Sequence, residues 1–153
     1  MHNLYYTRTT NAVIRNTTFD DAMWGSALDL TGALDTVVDG CNFSNIRQSV
    51  VYFDTGGYAR DARNLTMTRI VATNVSSLAT VGGPGLVMHS VKARGVRFGF
   101  FLHGQQPNVS DLDIVLGGPT PSAADTALPP TLFLRNDSLG CAQNLEASTV
   151  QFV

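Results

Sequence analysis

Glutamate and lysine are all but missing from this sequence: Glu146 and Lys92 are the sole members of their types. Charged residues make up 14% of the 153, near half the share common in globular chains. The residues that usually coat helix surfaces are thus absent, and no segment keeps a 3.6-residue apolar period over three turns. The net charge of −2 excludes a nucleic-acid binder working by bulk charge. No apolar run approaches the roughly 20 residues of a membrane-spanning helix, so no membrane insertion is expected. No charged-then-apolar leader opens the chain. If the protein is secreted, its leader is expected to have been removed or to lie outside this sequence.

Cysteine is also scarce. Cys41 and Cys141 either close one long loop as a disulfide or stand as two separate thiols. Neither they nor His2, His89 and His103 fall at metal-ligand spacing. No metal or other cofactor is expected. No serine or cysteine sits in a nucleophile elbow. Gly82-Gly83-Pro84-Gly85 runs into Leu86 rather than a lysine, so it reads as a turn and not a phosphate loop.

What is present suits strands and turns: Val, Thr, Phe, Gly and Asn. The length fits one domain, and the fold class expected is all-β. An apolar residue followed by another five positions later recurs as Ile14/Phe19, Val38/Phe43, Leu65/Ile70, Leu86/Val91, Val109/Ile114 and Leu145/Val150. Successive units start 24, 27, 21, 23 and 36 residues apart. The long interval contains a Pro-rich stretch, 117–130, expected to be an inserted surface loop. Each unit has a second strand-like run, namely Ala27–Leu30, Val50–Asp54, Leu78–Val81, Phe98–Leu102 and Thr131–Arg135, each followed by turn residues.

An all-β period in the low twenties means that one coil cannot bury its own apolar face and must share a core with its neighbours. Aligned this way, Phe19, Phe43, Ile70, Val91, Ile114 and Val150 form one apolar column. Val13, Val37, Asn64, Gly85, Asn108 and Asn144 form another, where Asn and Gly suggest a tight bend with stacked amides. An antiparallel sandwich would explain the alternation but not the aligned columns.

The phrases Asn11-Ala-Val-Ile-Arg-Asn-Thr-Thr-Phe19, Val37-Val-Asp-Gly-Cys-Asn-Phe-Ser-Asn45 and Asn64-Leu-Thr-Met-Thr-Arg-Ile70 resemble coils of the right-handed parallel β-helix, or pectin lyase-like, family. The resemblance implies a solenoid of five to six coils over residues 11–153, with 1–10 a preceding strand or cap. No capping helix is apparent at either end. The expectation is a piece of a larger solenoid whose ends are covered by further coils, another chain or another copy. Fraying ends, or a cap made by residues 1–10, are the plainer alternative.

The family includes polysaccharide lyases and hydrolases, phage tailspikes, adhesins and structural proteins, so fold alone does not give function. Hydrolase-type signatures match poorly: Asp20-Asp21 and His103-Gly104 lie coils apart, and Leu102 precedes His103. A lyase-type Ca²⁺ cage needs clustered carboxylates. Asp111 and Asp113, with Asp54, Asp61, Arg94 and Arg97, are the candidates and read mainly as structural. Catalytic residues are therefore expected to be none. Tyr52, Tyr58 and Trp24, with Tyr5 and Tyr6, are candidate sugar-stacking residues; scattered exposed aromatics need no such role.

Asn-X-Ser/Thr occurs at Asn16, Asn42, Asn64, Asn74, Asn108 and Asn136, more often than composition predicts. Asn16 is expected to point inward. The other five are candidate glycosylation sites, although coils that favour Asn at bends and Ser/Thr in strands raise the same count. The reading that follows is a non-catalytic scaffold or glycan-contacting module that is secreted, on a cell surface or in a virion. Its expected partners are further solenoid coils, other chains or copies of itself, and polysaccharide. The alternative is a polysaccharide-degrading enzyme domain or a tailspike-like receptor-binding domain.

Overall fold

The computed structural model describes residues 4–5, 8–54, 62–102, 108–116, 144–146 and 149–152. Their regular elements are all strands: β1 (Leu4–Tyr5), β2 (Val13–Arg15), β3 (Thr18–Asp20), β4 (Leu28–Asp29), β5 (Leu34–Asp39), β6 (Asn42–Phe53), β7 (Arg63–Val81), β8 (Leu86–Leu102), β9 (Asn108–Leu116), β10 (Asn144–Glu146) and β11 (Thr149–Phe152). Every pairing among them is parallel. The chain is a parallel β-solenoid of about four turns, rather than the five to six expected. The reason lies in the rungs. Strands β2, β5, β7, β8 and β9 mark the completed turns on one face. The stretch leading from β9 to β10 is outside the described residues.

Alternation fills the core. On one face Ile14, Val38, Met67, Met88 and Val109 stack inward in successive rungs. On the next face Phe19, Phe43, Ala72, Ala93 and Ile114 do so. A third wall is built from β4 and the far ends of β6, β7 and β8, where Leu28, Val51 and Ala79 align and are buried. This wall holds four of the second runs expected from the sequence; 131–135 lies outside the described residues.

Two expected columns are corrected by the register. Met67 and Met88, not Leu65 and Leu86, continue the Ile14–Val38 column. Accordingly Ala72 and Ala93, not Ile70 and Val91, lie above Phe43. A slip of two residues keeps every side chain on its own face, so apolar alternation cannot detect it; a slip of one would have reversed every face. The expected bend column also divides. Asn64 and Gly85 have positive φ, stacked with Asn11 and Asp35, whereas Val13, Val37 and Asn108 do not.

Left-handed residues mark the corners. Asn16, Gly40, Arg69, Ser90 and Asp111 have φ between 50° and 63° and fall two positions after the inward anchors. Asp21, Asn45, Asn74 and Gly95 form a second such column. Asn and Asp tolerate this conformation better than other side-chain-bearing residues. Their side chains also tie the rungs: Asn74 Nδ2 donates to Asn45 Oδ1 at 2.7 Å, Asn45 Nδ2 to Asp20 Oδ1 at 3.0 Å, and Asn64 Nδ2 to Asp35 Oδ1 at 2.7 Å. Asn16 is at an exposed corner, which corrects the inward placement expected for it: the positive φ turns its side chain out of the strand alternation.

Candidate functional site

The corner formed by Arg69, Ser90 and Asp111 opens onto the strand residues that follow it. Together with Ile70, Val71, Val91, Lys92 and Asp113 these side chains line a surface groove of about 400 Å³. The solenoid itself creates this juxtaposition. Val71, Lys92 and Asp113 are in register on successive rungs, so residues some twenty positions apart become neighbours. Val71 is exposed although apolar, since it occupies an outward position.

The polar groups around the groove are held by their neighbours. Ser90 Oγ donates to Asp111 Oδ2 at 2.6 Å. Arg94 Nη2 meets Asp113 Oδ2 at 2.6 Å, and Nη1 donates to the Asp113 and Ala93 carbonyls at 3.0 and 2.9 Å. Arg69 grips Asp39 on the rung below with Nε to Oδ1 at 2.8 Å and Nη2 to Oδ2 at 2.6 Å. Thr68 Oγ1 adds 2.8 Å to the same carboxylate, and Arg15 Nε lies 3.6 Å away. The Arg69 hydrogen bonds, then that of Thr68, hold the Asp39 carboxyl down at about 2. The Arg94 hydrogen bond likewise lowers Asp113. Ser44, followed by Asn45, lowers Asp20. These carboxylates are kept ionised, the opposite of what a general acid requires.

Of the sugar-stacking candidates, Trp24 is 75% exposed on the corner between β3 and β4. Tyr52 is half-buried in β6, and its hydroxyl donates to Asp54 Oδ2 at 3.0 Å. Burial, then that bond and the charge of Asp54, push the Tyr52 phenol up to about 12. Neither side chain lines the groove. Tyr58 and Tyr6 lie outside the described residues, as do His2, His103, Asp61, Asn136 and Cys141. Cys41 is buried, its Sγ 3.5 Å from the Asp39 carbonyl and 3.7 Å from that of Ile14.

The remaining sequon asparagines differ. Asn42 and Asn108 are exposed on strands, while Asn64 and Asn74 spend their amides on the rung below. His89 is exposed, with Nδ1 3.1 Å from Ser110 Oγ, the residue in register with it on the next rung. Among the described residues no group of three or more His, Cys, Asp and Glu side chains is placed to hold a metal ion. Sequence reasoning singled out Asp111, Asp113 and Arg94 but not Arg69, Ser90 or Lys92. For Arg69 and Ser90 the signal was there in the corner column, two positions after each anchor, once the anchors were placed correctly.

Comparison of the chain with protein-family models, with curated proteins and with solved structures finds no match.

Proposed function

We propose that this chain is a non-catalytic segment of a larger β-solenoid of the pectin lyase-like kind, serving as a stiff scaffold in an extracellular, cell-surface or virion assembly and contacting glycan along one face. The observation that carries the reading is the use made of its charged side chains. Asp39 with Arg69, and Asp113 with Arg94, clamp one rung to the next. Ion pairs spent between coils stiffen a solenoid and leave its carboxylates unsuited to proton donation. Among the described residues, the exposed Trp24 is the aromatic surface best placed to meet a sugar ring.

The competing reading, a polysaccharide-degrading enzyme or a tailspike-like receptor-binding domain, finds two carboxylates in the groove, Asp111 and Asp113. Hydrolysis by a carboxylate pair needs one member raised and protonated, and the Arg94 hydrogen bond, which lowers Asp113, keeps that residue from being the acid. The test is incubation of the purified chain with a panel of neutral and acidic polysaccharides. Product ends and the fluorescence of Trp24, the single tryptophan, are followed together. The scaffold reading expects no new reducing or unsaturated ends. Quenching of Trp24 by a bound glycan supports the contact, and cleavage of any polymer overturns the reading.

A further inference from the structure

Backbone conformation explains three of the sequon asparagines. Asn16, Asn64 and Asn74 sit at corners with φ of 50°, 58° and 55°, where asparagine is at home. Asn64 and Asn74 also spend Nδ2 on the rung below, and Asn16 lays Oδ1 against Gly40. Asn42 and Asn108 have no such reason to be asparagine. They lie in β6 and β9 without positive φ, with exposed side chains that make no hydrogen bond among the described residues. Strands disfavour asparagine. We propose that the folded chain carries N-linked sugar at Asn42 and Asn108, and that the first sugar of each lies on an exposed valine of a neighbouring rung. The proposal rests on the extracellular part of the scaffold reading.

The second observation is where the uncovered apolar surface falls. Val71 and Val87, 45% and 39% exposed, are two of the five large apolar side chains left exposed among the described residues. The register sets each beside one of these asparagines: Asn42 pairs with Val71, and Asn108 with Val87. Partners in a parallel ladder point to the same side, on strands about 4.8 Å apart. A sugar on Nδ2 therefore reaches the adjacent valine with the apolar face of its ring. Val71 also lines the groove of about 400 Å³, where Lys92 and Asp111 offer polar partners for sugar hydroxyls. Apolar floor and convergent polar groups are what a sugar held at Asn42 needs.

Ser44 and Ser110 complete the two sequons, two residues further along each strand. In the folded chain Ser44 Oγ donates to Asp20 at 2.7 Å, and Ser110 Oγ lies 3.1 Å from His89 Nδ1. Both hydroxyls are thus engaged, so attachment precedes closure of the coil. The donor is a polyprenyl-diphosphate-linked oligosaccharide, and the catalyst is a host transferase. The bond from Nδ2 to sugar C1 forms and the bond from C1 to the diphosphate oxygen breaks. The diphosphate leaves with the bonding pair, and Nδ2 gives up one of its two protons to a base of the transferase.

The experiment is secretion of the full chain from eukaryotic cells, with glycopeptide mapping of each site and thermal unfolding followed by circular dichroism. Asn42 and Asn108 should be occupied in the folded fraction, with Asn64 and Asn74 mostly bare. Asn42→Gln and Asn108→Gln should each remove one glycan mass. Where either variant fails to fold, Ser44→Ala or Ser110→Ala removes the same sequon and keeps the asparagine. Trimming the glycans to their first sugars should leave the unfolding midpoint unchanged, whereas Asn42→Gln should lower it by a few degrees. In a Val71→Ser background that drop should shrink by at least half. Bare Asn42 and Asn108 in folded, secreted protein overturn the proposal, and so does a drop indifferent to Val71→Ser. Either result, in a chain that cleaves no polysaccharide, leaves the scaffold reading standing. Cleavage by a chain that carries sugar at both sites overturns that reading alone.

Discussion

The ring of Phe19 lies on that of Phe43 across adjacent rungs, with centroids 5.1 Å apart and planes 8° from parallel. The pair is the aromatic centre of the core on its face, with Ala72 and then Ala93 continuing the column. Large residues at one end and small ones further along mean that Phe43 fills space nothing else can reach. Phe43 is 2% exposed. Phe43→Ala should cost about 3–5 kcal/mol, measured by denaturant unfolding. Phe19→Ala should cost somewhat less, because Phe19, at 7% exposed, is the less buried of the two rings.

The fold class was legible because burial on alternate positions and a repeat in the low twenties leave few alternatives. The five-residue interval between Ile14 and Phe19, Val38 and Phe43, and Val109 and Ile114 is the one the structure uses. What was not legible was register within β7 and β8. Leu65-Thr-Met67 and Leu86-Val-Met88 offer two inward anchors each, equivalent in hydrophobicity and in face. The choice between them is made by the corner residue, which must adopt positive φ. Arg69 and Ser90 do so, and neither is a residue type that announces it. The groove was hidden for the same reason, since its membership depends on which residues occupy that corner.

Asp39 predicts the acid response. Its carboxyl is held at about 2 by Arg69, against an ordinary value of 3.8. A lowered folded value means that its contribution is complete above the unfolded value and fades as pH falls from about 4 toward 2. Arg69→Met should return the Asp39 carboxyl toward its ordinary value, read by carboxyl-carbon NMR titration. The acid limb of a stability–pH profile should then flatten in that window. An unchanged Asp39 titration in Arg69→Met would show that Arg69 is not its chief partner.

Gly85 occupies a corner with φ of +80°, and a Cβ built there would lie 2.5 Å from Asn64 Oδ1 on the rung below. Gly85→Ala therefore meets both a backbone penalty and a clash, and should lower stability by about 1–3 kcal/mol. Combining it with Asn64→Gly removes the side chain it strikes. The double variant should recover part of the loss relative to the sum of the singles, a coupling readable from a double-mutant cycle of thermal unfolding.

Tyr52 should titrate late. With its phenol pushed up to about 12 by burial and by Asp54, absorbance near 295 nm should show Tyr52 still protonated at a pH where a tyrosine of ordinary value has ionised. A raised folded value contributes stability that is full below about 10 and is lost as pH climbs through about 12. Asp54→Asn removes the charge and should bring the titration down, though not to the ordinary value, because burial is the larger cause.

Asn74 offers the sharpest test of the corner ladder, because its amide is used in one sense only. Nδ2 donates to Asn45 Oδ1, and Asn45 Nδ2 donates in turn to Asp20. Reversing one member would set acceptor against acceptor. Asn74→Ala removes a hydrogen bond from a half-buried site and should cost about 0.5–1.5 kcal/mol. Asn74→Asp keeps the shape, yet at neutral pH it places an ionised acceptor against the Asn45 oxygen, so it should be the more destabilising of the two. Below the carboxyl's own pKa the acid regains a donor, so Asn74→Asp should recover relative to Asn74→Ala as pH falls, measured by denaturant midpoint at a series of pH values. Equal midpoints for the two variants at neutral pH would mean that the amide direction does not matter and that the corner is held by backbone conformation alone.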